Sequence, residues 1–171
     1  IEVTMTTPNA LEVVRQVKSE LGDRVVMGVG TVLDPETARA AILAGAEYIV
    51  SPVVNEATIR LCRRYDIPVM PGAFSPTEVL RAWDSGADVV KVFPTSSVGP
   101  EYIKDLKGPF PQIPMIPTGG VNVDTAGAFI KAGACAVGAG SSLVDKKAVK
   151  DGKWEVITDV ARRMVAAVQA A

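Results

Sequence analysis

The sequence predicts a (β/α)8 barrel of the TIM type, and three observations carry that expectation. Short apolar, β-branched runs recur about every 20–25 residues, with stretches of helical spacing between them. A small triplet repeats between helix and strand: Ala44-Gly45-Ala46, Ser85-Gly86-Ala87 and Ala132-Gly133-Ala134. Strands that alternate with helices lie parallel in one sheet, since a parallel neighbour is reached only through a crossover.

The predicted strands are Ile1–Thr4, Arg24–Gly30, Glu47–Ser51, Ile67–Pro71, Asp88–Phe93, Pro114–Pro117 and Cys135–Gly138. Predicted helices cover Pro8–Leu21, Pro35–Leu43, Pro76–Trp83, Glu101–Leu106, Asp124–Ala132 and Trp154–Val168. Asp34 before Pro35, Ser75 before Pro76 and Asn122 ahead of Asp124 supply side-chain oxygens for the orphan amides of a first turn. The glycine of each repeated triplet suits the left-handed residue that ends a helix. Trp154, Ile157, Ala161, Met164 and Val168 form one stripe for packing. Seven strands are visible where a closed barrel needs eight, so one βα unit of about 30 residues is expected to be missing at the front. An open doubly wound sheet is the alternative. With no linker or low-complexity stretch, residues 1–171 read as a single domain.

A net charge of −1 with no basic block argues against nucleic acid or an anionic membrane as partner. No apolar run approaches the ~20 residues of a membrane span, and no leader is visible. Cys62 and Cys135 stand alone in apolar surroundings, which predicts reduced core thiols and a cytoplasmic compartment. The absence of His removes a His-ligated zinc site, a Ser-His-Asp triad and a His general base.

Lys91 interrupts the apolar run Val89-Val90-Lys91-Val92-Phe93. Parallel strands are covered on both faces, so an ammonium there needs a reason. Side chains alternate, so Lys91 shares a face with Val89 and Phe93, and Val90 and Val92 take the other. Desolvation lowers an amine's pKa and frees it to attack a carbonyl; the competing reading is a lysine paired with a buried carboxylate. Glu2, in Ile1-Glu2-Val3-Thr4, is a second charge in a strand, fit for a proton shuttle or an inert ion pair. Glycine turns follow two late strands, at Thr118-Gly119-Gly120 and Gly138-Ala139-Gly140-Ser141. Loops after the last strands of a barrel commonly bind phosphate through backbone amides. Gly28-Val29-Gly30 reads as room for a close approach, with Thr31 beyond it as a hydroxyl donor.

Ile-Glu-Val-Thr at 1–4, Gly-Val-Gly-Thr-Val at 28–32, Ser-Pro at 51–52, Met-Pro-Gly at 70–72, Lys-Val-Phe-Pro at 91–94, Pro-Thr-Gly-Gly-Val at 117–121 and Gly-Ala-Gly-Ser at 138–141 follow in order. Together they resemble the 2-keto-3-deoxy-6-phosphogluconate (KDPG) aldolase family, whose members also act on 4-hydroxy-2-oxoglutarate (KHG) or on the 6-phosphogalactonate epimer. The resemblance implies a lyase: a class I aldolase that needs neither metal nor cofactor and makes pyruvate and glyceraldehyde 3-phosphate. It implies Lys91 as the Schiff-base lysine and Glu2 as general acid/base. Thr31, Pro52 and Thr118 would line the keto-acid end, and Gly119, Gly120, Gly140 and Ser141 would hold the phosphate. A homotrimer is implied as well. Thr6 departs from the pattern, since many members carry Arg there, and this leaves the preferred keto acid open. A phosphate-binding barrel synthase or isomerase, or a non-catalytic trimeric barrel, would leave Lys91 unexplained.

Overall fold

The computed structural model describes all residues, 1–171. The chain folds into two compact units, Ile1–Lys91 and Val92–Ala171.

In the first unit, strands β1 (Glu2–Thr4), β2 (Gly28–Gly30), β3 (Tyr48–Val50) and β4 (Val69–Met70) lie side by side in parallel, in sequence order. Helices α1 (Ala10–Leu21), α2 (Pro35–Ala44) and α3 (Glu56–Arg64) make the crossovers. The register places Val3 opposite Val29, Val29 opposite Ile49, and Ile49 opposite Val69. That row forms the sheet's half of an apolar core with Val14 of α1, Ala38 and Ala41 of α2, and Ile59 and Cys62 of α3. Because side chains alternate, Glu2, Gly28 and Tyr48 share the opposite face with Thr4 and Gly30. The sheet's apolar row thus commits one face to helices and leaves the other for chemistry.

Local signals start these helices as expected. The Asp34 carboxylate accepts from the Thr37 amide at 2.6 Å. Ser75 and Glu78 form a reciprocal capping box at the start of α4 (Pro76–Asp84). Helix α3 was not among the expected helices, although its apolar residues recur at helical spacing; Ile59 and Cys62 seat it, and Asn55 accepts from the Thr58 amide. The expected strand Ile67–Pro71 is cut short, because Pro71 has no N–H to give; a second piece, β5 (Gly72–Ala73), follows it. The expected strand from Arg24 pairs only at Gly28–Gly30. Gly22–Arg24 is instead a tight turn, where the Arg24 guanidinium donates to the Glu20 and Leu21 carbonyls. The unit ends within strand β6 (Val90–Val92), with the Lys91 amide on the Pro71 carbonyl at 3.0 Å.

In the second unit, the Val92 carbonyl accepts from Thr118 at 3.0 Å, just beyond β7 (Met115–Pro117). Met115 is buried, as are Ile103 and Leu106 of α5 (Gly99–Lys107), Phe129 of α6 (Ala126–Lys131), Ala148 of α7 (Lys146–Lys150) and Met164 of α8 (Trp154–Gln169); α6 packs on α5 and α8, and α7 packs on α8. The expected strand Cys135–Gly138 is reduced to one parallel bridge, Thr118 with Gly138. The Cys135 amide reaches Met115 and the Gly138 amide reaches Pro117, so three residues advance against two and the ladder loses register. Cys62 is buried as expected; Cys135 is exposed, its thiol 3.2 Å from the Met115 carbonyl. Trp154, expected on the packing stripe of α8, is 60% exposed. The three triplet glycines all adopt positive φ, 108° at Gly45, 98° at Gly86 and 103° at Gly133. No helix is long and apolar enough to cross a membrane.

Candidate active site

In the first unit the site is built on side chains. Lys91 is 9% exposed, between Val90 and Val92, which are wholly buried. Burial holds its ammonium below the ordinary lysine value, and the nearby Glu2 carboxylate pulls partly the other way. An amine so placed has a larger neutral fraction near pH 7 than a surface lysine, and it keeps a carboxylate neighbour for proton transfer.

Glu2 owes its position to a missing side chain. A Cβ on Gly30 would collide with the Glu2 carboxylate, and a Cβ on Gly28 would collide with the Tyr48 ring. The two glycines of Gly28-Val29-Gly30 therefore make room for neighbouring side chains rather than for backbone. Tyr48 went unnoticed in the sequence. Its phenol is pushed up to about 12, first by burial and then by Glu2, so it stays a neutral hydroxyl across the working range. The signal was there in weak form: an aromatic residue on the face of β3 that Gly28 leaves empty.

Thr31 and Pro52 follow β2 and β3 directly. Thr31 has φ of 58°, a left-handed conformation that is strained for a β-branched residue. Strain of this kind is retained where the surroundings over-determine it, and here the Gly30 carbonyl accepts from Met5 and the Val32 amide donates to Val50. Pro52 presses its backbone against Gly72, where any Cβ would clash. Thr4, Thr6 and Thr7 form a hydroxyl cluster beyond β1, with Thr4 and Thr6 Oγ1 atoms 2.8 Å apart.

In the second unit the site is built on backbone. Gly119 and Gly120 have φ of 94° and 74°, two successive left-handed residues in a conformation that favours glycine. Thr118 lays its Oγ1 against Gly138, where a Cβ would come within 2.6 Å. Gly140 and Ser141 are exposed. Their loop is tied to the Gly119–Gly120 turn by the next residue, as Ser142 Oγ donates to the Val121 carbonyl at 2.5 Å. Thr95, also unnoticed in the sequence, is 1% exposed and bonds to this turn. No three Cys, Asp or Glu side chains are grouped to hold a metal ion.

A desolvated lysine beside a carboxylate, on the strands of a parallel β/α protein, defines the class of imine-forming barrel lyases. The family profile described as KDPG and KHG aldolase matches residues 1–160, and the chain belongs to that family. It is 35% identical over 144 residues to the 2-dehydro-3-deoxy-6-phosphogalactonate aldolase of Escherichia coli (strain K12), covering 84% of this chain and 70% of that one. The KDPG aldolase of Legionella pneumophila, solved with pyruvate captured as a covalent carbinolamine, superposes with a TM-score of 0.84 at 29% identity. That match covers 96% of this chain and 79% of the other. A cube-shaped protein cage designed by fusing symmetric oligomeric domains superposes at 0.90 with 32% identity; this chain is covered to 99% and spans 62% of that chain. The fold is of the TIM-barrel type, and the doubly wound alternative falls.

Proposed function

We propose that this chain is a class I aldolase that cleaves 2-keto-3-deoxy-6-phosphogluconate to pyruvate and glyceraldehyde 3-phosphate, with Lys91 as its Schiff-base residue. The observation that carries the proposal is Lys91 itself, a buried amine with depressed basicity beside Glu2, in a chain of aldolase lineage.

The neutral amine of Lys91 adds to the C2 ketone, and Glu2 delivers the proton that lets the carbinolamine hydroxyl leave as water. The iminium is an electron sink. When Glu2 takes the proton of the C4 hydroxyl, the C3–C4 electron pair moves into the iminium and the aldehyde departs. The enamine is then protonated at C3, and water hydrolyses the pyruvyl imine, returning the amine. Thr31, Pro52 and Thr118 contact the keto-acid end, and Gly119, Gly120, Gly140 and Ser141 bind the phosphate. The working form is a homotrimer in the cytoplasm; likeness to a designed cage of symmetric oligomeric domains favours an oligomer.

The test is borohydride trapping with pyruvate, followed by peptide mass mapping. A reduced pyruvyl adduct on Lys91, absent from Lys91→Ala, is the expected result; a folded wild-type protein that gives no adduct overturns the reading. The 6-phosphogalactonate epimer is a second substrate reading, favoured by similarity to the phosphogalactonate aldolase of Escherichia coli. Comparing kcat/KM for the two epimers decides between them.

A further inference from the structure

The Gly119–Gly120 turn has an unusual set of partners. Thr95 Oγ1 donates toward two carbonyls, Thr118 at 3.2 Å and Gly119 at 2.5 Å. The Thr95 amide also donates to the Thr118 carbonyl, at 3.0 Å. Thr125 Oγ1 donates to the Gly120 carbonyl at 2.9 Å, and itself accepts from the Asn122 amide at 2.9 Å. Three successive carbonyls are therefore pinned by two hydroxyls, while the Gly119 amide faces the Gly138 carbonyl across the parallel bridge and the amides of Gly120 and Val121 donate to nothing in the protein.

Peptide planarity turns these facts into a direction. In a trans peptide the C=O of one residue and the N–H of the next lie in one plane and point opposite ways. Fixing the carbonyls of Thr118, Gly119 and Gly120 thus fixes the amides of Gly119, Gly120 and Val121 on the other side. A pair of glycines would otherwise flip these planes at little cost, which would bring a carbonyl oxygen to the place an anion needs. The approach is also close on the Thr95 side, since a Cβ on Gly119 would come within 3.3 Å of the Thr95 nitrogen and one on Gly120 within 2.9 Å of Ser96 Cα.

We propose that Thr95 is a positioning residue for phosphate recognition: its buried hydroxyl clamps the Gly119–Gly120 turn so that the Gly120 and Val121 amides face the substrate's phosphate. The inference rests on the reading of that turn as the phosphate site. Thr95 touches no reacting atom, so its loss weakens binding of the phosphorylated substrate and leaves the imine chemistry intact.

The test compares KM and kcat for the phosphorylated keto acid and its unphosphorylated counterpart, with inorganic phosphate as a competing probe. Thr95→Val is expected to raise KM for the phosphorylated acid, and the inhibition constant of inorganic phosphate, by about ten-fold, the size of one or two lost hydrogen bonds. Its kcat, and KM for the unphosphorylated acid, stay at wild-type values; Thr95→Ser, which keeps the hydroxyl, restores the rest. Should Thr95→Val fail to fold, Thr125→Val removes the bond to Gly120 and reads out the same selective loss. An unchanged KM for the phosphorylated acid, or an equal loss on both substrates, overturns the assignment of Thr95. A wild-type enzyme that does not distinguish the two acids and ignores inorganic phosphate overturns the phosphate reading itself, a separate result visible before any variant is made.

Discussion

The two units build their sites from different materials. In Ile1–Lys91 the proposed chemistry rests on side chains that break the pattern of their strands, Lys91 in one and Glu2 in another, and Gly30 yields space to Glu2. In Val92–Ala171 the candidate site is made of peptide groups, and the side chains serve them: Thr95, Thr125 and Ser142 each donate to a carbonyl of the 118–121 turn. The helices differ in the same sense. Three of the four helices of the first unit, α2, α3 and α4, start with a side-chain cap and α1 does not, whereas in the second unit only α7 has one, from Asp145. A reaction that needs a nucleophile and a base must place titratable atoms; recognition of an anion needs only oriented dipoles.

Perturbing each part breaks or sharpens this contrast. The largest effect is expected at Lys91, where Lys91→Ala removes the nucleophile and should lower kcat by about 10⁴-fold or more, with far-ultraviolet circular dichroism unchanged. Glu2→Gln should lower kcat by about 10²–10⁴-fold. It also carries a sign that can be checked. The Glu2 carboxylate raises the Lys91 pKa against burial, so removing that charge lets the pKa fall further. Imine formation with pyruvate, followed against pH, should have a midpoint below that of an ordinary lysine in the wild type, and lower still in Glu2→Gln. An upward movement of the midpoint would refute the proximity of the two groups.

Gly28→Ala comes next. Its methyl meets the Tyr48 ring, so it should cost about 1–3 kcal/mol in denaturant unfolding and reduce turnover, because the ring it displaces neighbours Glu2. The smallest effect belongs to the caps. Ser75→Ala should lower stability by about 1 kcal/mol, or Tm by about 2–4 °C, and leave kcat unchanged.

Much of the first unit was legible in sequence because its signals are local. Asp34-Pro35 and Ser75-Pro76 mark helix starts through bonds that span three residues, and Lys91 stands out against valines on both sides. What was missed depends on partners distant in sequence. Cys135–Gly138 has the composition of a strand, yet its pairing is decided by the count of residues against β7. Tyr48 is ordinary until the register sets it opposite Gly28. Thr95 is an unremarked hydroxyl after Lys-Val-Phe-Pro until the turn at Gly119 arrives beside it. Trp154 fits an apolar stripe, and no periodicity states how deep its end of the helix is buried. Thr6 showed the converse, a departure visible in sequence whose hydroxyl joins Thr4 and Thr7.

The interlock of Gly28 with Tyr48, and of Gly30 with Glu2, limits the order in which this protein can change. Neither glycine is required by its own backbone, since neither has positive φ. Each is held by the bulk of a side chain on an adjacent strand. A larger residue at 28 becomes tolerable only after Tyr48 has shrunk, so the first step opens a cavity and the second fills it. At Gly30 the corresponding first step would discard Glu2 and with it the proposed acid and base. One glycine of the pair is therefore free to drift by a two-step path, while the other is tied to the activity for as long as the activity is kept.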